Sequence, residues 1–300
     1  MNAIETHNLT KCYDGRPVVH ALNLKVPTGC VYGFLGRNGA GKSTTIRMLA
    51  GLTPPDAGVA TVFGADARQL PDATRARIAY IAEGHPLYGH MTIAQAERFT
   101  RSFYDKWRRD IFQGIIEHFL LKPTQKIRRL SNGQRAQVSL ALAVAPDPEL
   151  LILDDPTLGL DTIVRREFLE SLIHIIQRQG RTILFSSHIL GDVERVADRI
   201  GVMVNGVLRV DCPTDHFKQS LRKVVLEFDG EVKPFPALPG VVSDIAFGHR
   251  REVAIVNYGE SHQSAAEALT PRSLTVETLN LEEAFIAYTR DQRPPLPAFD

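Results

Sequence analysis

Apolar positions recur with two different periods along this chain, and the change of period marks its elements. Ile4 to Leu9 and Val18 to Val26 carry strand-like runs, with a turn at Asp14-Gly15-Arg16-Pro17 between them. Val31 to Leu35 is a short apolar run, and Thr45 to Leu52 is compatible with a helix that breaks at Thr53-Pro54-Pro55-Asp56-Ala57-Gly58. Val59 to Phe63 and Ile78 to Ala82 read as strands, the second closed by Glu83-Gly84-His85-Pro86. From 92 to 121 the period becomes helical. Ile93, Ala96, Phe99, Phe103, Ile111, Ile115 and Phe119 recur at that spacing, and Thr92 with Gln95 makes a capping-box pattern. The spacing predicts a helical insertion between β-rich pieces.

Ser131 is placed to cap a helix reaching Ala145, with Val138, Leu140, Leu142 and Val144 among its apolar positions. Leu150 to Leu153 suits a fully buried parallel strand, as does the run from Thr182 with its polar tip Ser186-Ser187-His188. Between them a helix is predicted from Thr162 to Arg178, started by Asp161 and stopped by Gly180. A helix from Asp192 to Arg199 follows. Ile200 to Val204 and Val207 to Val210 then form a hairpin around Asn205-Gly206. The character shifts around Pro213 to Ser220. Beyond lie strand patterns at Val224 to Phe228 and Val253 to Val256, then a helix-like stretch from Leu281 to Tyr288. This part reads as a small α/β accessory domain ending in a disordered tail with Pro294-Pro295-Leu296-Pro297.

Composition changes this picture by exclusion. Three hundred residues with 44% apolar content suit one large or two ordinary packed domains. The 35 basic and 34 acidic residues leave a net charge of +1, which provides no electrostatic footprint for nucleic acid and no polybasic membrane anchor. No apolar run is long enough to span a bilayer, and the first residues lack the features of a signal peptide. Cys12, Cys30 and Cys212 form neither a metal spacing nor a disulfide framework, so a reduced cytosolic compartment is the simplest reading.

The strongest chemical signal is Gly36-Arg37-Asn38-Gly39-Ala40-Gly41-Lys42-Ser43-Thr44, which fits G-x-x-x-x-G-K-[ST] between a strand and a helix. Glycines let successive backbone N–H groups turn inward as an anion nest, and the helix points its N-terminus at the same anion. Lys42 would reach the β/γ-phosphates, and the Ser43 hydroxyl would serve Mg²⁺. A second signal is Leu150-Leu151-Ile152-Leu153-Asp154-Asp155. Its acids fall at the carboxyl end of a strand, where ligands bind in open α/β sheets. Asp154 would help hold Mg²⁺, and Asp155 would orient or deprotonate a water. The alternative is that the pair caps the next turn. His188 could donate a hydrogen bond to a γ-phosphate or could be a local capping residue. From position alone, Tyr13 reads as a turn-edge packing anchor or as an aromatic that stacks a base.

The order of these motifs, with Leu130-Ser131-Asn132-Gly133-Gln134 between the helical insertion and the acidic strand, resembles the nucleotide-binding subunit of ATP-binding-cassette (ABC) transporters over about residues 3 to 215. The resemblance implies a P-loop NTPase core of α/β class with an antiparallel β subdomain and a helical insertion at about 88–145. That cassette domain would occupy 1–215, with the small accessory domain at 216–300. It implies ATP and Mg²⁺ as ligands and a second copy of the chain as partner. It also implies a separate membrane permease that holds the subunit at the cytoplasmic face of the membrane. Leu279-Asn280-Leu281-Glu282-Glu283-Ala284-Phe285 looks like the tail of exporter-type cassettes.

The resemblance also assigns roles. Tyr13 takes the adenine-stacking position. Ser131 and Gly133, within the signature motif that Gln134 completes, would contact the γ-phosphate of ATP held by the second copy. Asp161 belongs to a loop crossing the dimer interface, and His188 is the switch histidine. Glu83 stands where the family has a glutamine that touches Mg²⁺ and senses the permease. Asn132 replaces a glycine. Asp155 stands in place of the catalytic glutamate and is shorter by one methylene, a reach deficit of ~1.5 Å. Misplacement of about 1 Å can cost ~10²-fold in rate, so either the water sits closer here, or hydrolysis is slow, or Glu83 or His188 shares the catalytic role.

Overall fold

The computed structural model describes residues 1–177 and 180–289, with side chains in the helix preceding 178 described only to His174. The expected helix end at Arg178 and the Pro-rich tail lie outside the described residues. The chain divides into two compact units, Met1–Asp211 and Cys212–Asp300.

The first unit opens with an antiparallel sheet. It contains β1 (Asn2–Tyr13), β2 (Arg16–Leu22) and β3 (Lys25–Pro27). β4 (Val31–Gly36) and α1 (Lys42–Leu49) come next, and β5 (Ala57–Val62) and β6 (Ala65–Asp66) complete the antiparallel sheet. The single predicted strand over Val18 to Val26 is two strands. Thr6 of β1 explains the interruption: its buried hydroxyl donates to Leu22 O at 2.8 Å and accepts from Leu24 N at 2.8 Å. The hydroxyl thus stands in for a missing rung of the ladder.

The remaining elements of this unit build a parallel sheet and a helical lobe. They are α2 (Asp72–Arg75), β7 (Ile78–Ile81), α3 (Ile93–Arg101), α4 (Arg109–His118), α5 (Asn132–Val144), β8 (Leu150–Leu153) and α6 (Thr162–Gln177). β9 (Thr182–Ser187), α7 (Leu190–Val196), β10 (Arg199–Val204) and β11 (Val207–Pro213) follow. The six-stranded sheet has the order β11-β10-β4-β9-β8-β7. Its β10, β4, β9, β8 and β7 pair in parallel. All residues of β4, β8 and β9 are buried, as continuous apolar runs in a two-faced parallel sheet require.

The helical stretch expected over 92–121 is broken between α3 and α4. The Ser102 hydroxyl donates to Phe99 O at 2.7 Å and ends the first helix locally. Arg108 N then donates to Ala145 O, which brings the chain onto the end of α5. Phe112, Ile116, Leu121, Ile127, Val138 and Ala141 form the core of this lobe. On its surface, Tyr88, Phe99 and Phe103 are exposed and meet edge to face, with ring centroids 5.5 and 5.2 Å apart. The helix expected from Asp192 to Arg199 is also shorter. Asp198 accepts from Val31 N at 2.8 Å through its carboxylate and donates its own N–H to Val31 O, so Arg199 already belongs to a strand.

The second unit contains α8 (Thr214–Ser220), β12 (Leu221–Glu227), β13 (Val241–Phe247), β14 (Arg250–Val256), α9 (Glu260–Ala268), β15 (Ser273–Thr278) and α10 (Leu281–Thr289). Its four strands run in the order β13-β14-β12-β15, and every pairing is antiparallel. Val224, Leu226, Val253, Ile255 and Ala266 form its core. β13, β15 and α9 were not anticipated. Most positions of β13 and β15 are exposed or half-buried, so neither strand shows a clean period of two.

Thr6→Val, which keeps the shape and removes the hydroxyl, leaves Leu24 N–H and Leu22 O without that partner. Urea unfolding is expected to show a loss of ~1–3 kcal/mol. An unchanged midpoint and slope would mean that water replaces the hydroxyl.

Candidate functional site

The site grows from the carboxyl ends of adjacent strands. In the β4–β9 register Leu35 faces Ser187, and in the β8–β9 register Leu153 faces Phe185. Each strand ends within a residue or two of those pairs. Gly36, Asp154 with Asp155, and His188 therefore leave the sheet side by side, at the edge where open α/β sheets bind ligands.

The glycine-rich loop arches from buried Gly36, over exposed Arg37, Asn38 and Gly39, to buried Ala40 and Gly41. Ala40 N donates to Arg37 O at 3.1 Å, and Gly206 N to Ala40 O at 3.1 Å. Gly41 has φ of 105°, and a Cβ there would lie 2.5 Å from Val18 O. Only glycine fits this turn into α1. Lys42 and Ser43 open the helix, Thr44 is half-buried behind them, and Thr45 bonds back to Gly41 O at 3.0 Å. The Lys42 ammonium donates to Gly36 O at 2.7 Å and Arg37 O at 3.3 Å. Burial pulls its pKa down, while the charges of Asp155, Asp154 and Glu83 push it up. Those three carboxylates therefore share one electrostatic site with the loop lysine. Glu83 is exposed on the turn after β7.

Asp154 Oδ1 accepts from the Ser43 hydroxyl at 2.8 Å and from Ser186 Oγ at 3.0 Å. Ser186 Oγ in turn accepts from Asp155 N at 2.9 Å. Asp155 Oδ2 lies 2.6 Å from His188 Nδ1. Among the described residues, Asp154 Oδ2 and Asp155 Oδ1 are buried with no hydrogen-bond partner. Buried anionic oxygens without partners are costly, and hard cations take such ligands. The unpartnered Asp154 Oδ2, on the carboxylate that the Ser43 hydroxyl already touches, fits Mg²⁺.

The other expected site residues fall in two further places. Tyr13 ends β1, opposite Arg16 in the hairpin with β2, and β2 carries Val18 past the loop. Tyr13 is 46% exposed, with the Lys11 ammonium 5.6 Å from its ring centroid. Ser131 and Gln134 make a complete capping box on α5, each side chain bonding the other's backbone N–H. Gly133 packs under α6, where a Cβ would lie 2.6 Å from Val164 Cγ1. Asp161 caps α6 by accepting from Ile163 N and Val164 N at 3.1 and 3.0 Å.

No sequence motif marks Ser186, His85, Thr157 or Asp192 as site residues. All four are buried polar residues. Ser186 bridges both acids. His85 Nε2 lies 2.9 Å from Pro156 O, and Thr157 Oγ1 donates to Asp192 Oδ2 at 2.9 Å. The available signal was a polar side chain inside an otherwise apolar or loop context, which names no partner.

The chain is similar to several known proteins. The family model described as "ABC transporter" matches residues 19–158. The ABC transporter ATP-binding protein YtrB of Bacillus subtilis is 30% identical over 95% of this chain and 97% of its own length. The bacitracin transport ATP-binding protein BcrA of Bacillus licheniformis is 37% identical over 75% of this chain and 74% of its own. A solved ATP-binding subunit of an ABC transporter superimposes with a TM-score of 0.65 and 26% identity, covering 72% of this chain and 92% of that one.

Gly41→Ala is expected to lower stability by at least ~1–3 kcal/mol from backbone strain, with further loss from the contact with Val18 O. Denaturant unfolding of variant and parent measures this, and equal stability would contradict the left-handed turn.

Proposed function

Since the chain belongs to the ABC transporter ATP-binding family, we propose that it binds ATP between two copies of itself, hydrolyses it, and powers export through a separate membrane permease. The carrying observation is the convergence of Lys42, the Ser43–Asp154 bond and the Asp155–His188 pair on one sheet edge. The name of the Bacillus licheniformis relative supports a transport role. Among the described residues no helix is long and apolar enough to cross a membrane. In this reading a permease on another chain crosses the membrane and holds this chain at its cytoplasmic face. The Cys212–Asp300 unit is then an accessory to the motor.

The residues divide the work as follows. Backbone N–H groups from Gly36 to Ser43 cradle the phosphates, with Asn38, Gly39, Ala40 and Gly41 shaping the arch, Thr44 in the first turn of α1 and Lys42 as counter-charge. Tyr13 offers its exposed ring to the adenine. Ser43, Asp154 and Glu83 would hold Mg²⁺, which when bound draws charge from the transferring phosphoryl group. Asp155 orients the attacking water and accepts its proton at the free Oδ1. His188 holds Oδ2 and presents its other nitrogen to the γ-phosphate.

Ser131, Gly133 and Gln134, at the rigid start of α5, would face the phosphates bound by the other copy. Asp161 and the neighbouring exposed Leu158 and Ile163 belong to the same pairing surface. An isologous pair makes two such composite sites from one surface.

A shorter carboxylate at 155 favours one second reading, a cassette that binds ATP without turning it over. Steady-state phosphate release separates the two. Parent protein, alone or with its permease, is expected to exceed Lys42→Ala, and Asp155→Asn is expected to bind ATP but lose turnover by at least ~10²-fold. Phosphate release equal to the Lys42→Ala control in both settings would establish the non-hydrolysing reading. Tyr13→Ala is expected to weaken nucleotide binding by ~1–3 kcal/mol, measured by titration with a fluorescent ATP analogue. Unchanged affinity would remove Tyr13 from the site.

A further inference from the structure

We propose that His85 and Asp192 are positioning residues for Asp155, acting as a two-point clamp on the residues that follow it, Pro156 and Thr157. The proposal rests on the reading of Asp155 as the residue that orients water.

Asp155 has φ of 42°, a left-handed backbone conformation that L side chains rarely adopt. Such a residue persists only where its surroundings over-determine it, at ~1–3 kcal/mol of strain. On the N-terminal side Ser186 Oγ holds Asp155 N at 2.9 Å, and Asp154 N donates to Ile81 O in the sheet. On the C-terminal side no sheet pairing continues; Leu158 N donates to Asp155 O at 3.1 Å, and two buried side chains hold the residues between. His85 Nε2–H donates to Pro156 O at 2.9 Å, and Asp192 Oδ2 accepts from Thr157 Oγ1 at 2.9 Å. Pro156 has no N–H of its own, so its carbonyl is the only backbone polar group by which it can be held.

The two clamps come from different elements of the site, a turn and a helix. His85 closes the turn that carries Glu83, with its N–H on Ala82 O at 3.2 Å, and is itself left-handed at φ of 50°. Its ring is 4% exposed and leans on Phe168 of α6 at 6.2 Å between centroids. Asp192 lies in α7, directly after His188, and Arg165 of α6 stands 3.4 Å from its Oδ1. Displacing the Glu83 turn moves His85, and displacing α7 moves Asp192. Either movement pulls on the peptide that fixes the direction of the Asp155 carboxylate. A turn and a helix thereby control a carboxylate that neither touches through these residues.

The test uses the full-length protein with four variants. His85→Ala and Asp192→Ala are expected to lower kcat for ATP hydrolysis by about 10²-fold, with KM for ATP and nucleotide affinity within about threefold of the parent. His85→Gln keeps a side-chain N–H and is expected to recover most of that loss. Thr157→Val removes one hydroxyl and guards against misfolding of the larger changes. Turnover within about threefold of the parent in well-folded His85→Ala and Asp192→Ala would overturn the clamp, as would KM rising in step with the fall in kcat. Hydrogen exchange supplies a readout independent of hydrolysis. The amides of Asp155 and Leu158 are expected to exchange at least ~10-fold faster in the Ala variants, with the 36–44 loop unchanged. If the parent shows no turnover above Lys42→Ala, the hydrolysis reading falls, and unchanged exchange at 155–158 would separately overturn the clamp.

Discussion

The structure depends on the parallel register of β4, β9 and β8. Those strands share no side-chain chemistry at their centres; they are apolar runs that could slide if only burial mattered. Their ends forbid sliding. Leu35 opposite Ser187 and Leu153 opposite Phe185 place Ser186 where its hydroxyl meets both Asp154 Oδ1 and Asp155 N. A slip of one residue reverses which face each side chain points to. It would move Ser186 away from both acids and place unpaired polar groups in a buried sheet.

Much of this was legible in the chain. The phosphate loop and the acidic strand are contiguous, and their function depends on backbone shape and strand position, which local residue types reveal. The Thr92–Gln95 capping box is likewise a local device read from spacing. Contacts that bind distant segments were not legible. Ser186 lies 32 residues from Asp154, and His85 lies 71 from Pro156. No periodicity encodes such partners. The polar β13 and β15 escaped notice because they are stabilised by pairing with β12 and β14, not by an apolar face of their own.

Asp155 concentrates the tension of the site. It carries a short side chain, a left-handed backbone and a 2.6 Å contact to His188. The surrounding bonds from Ser186 and His188 hold its orientation, as preorganised groups must. The cost of the strained residue is set against a fixed direction for its one unpartnered oxygen.

The edge-to-face trio of Tyr88, Phe99 and Phe103 has a consequence for how the protein behaves in a tube. A net charge of +1 supplies almost no mutual repulsion between molecules at neutral pH. Three exposed aromatic rings on such a weakly charged body form an adhesive spot. Self-association of the purified chain is therefore expected to respond to ionic strength, buffer pH and concentration.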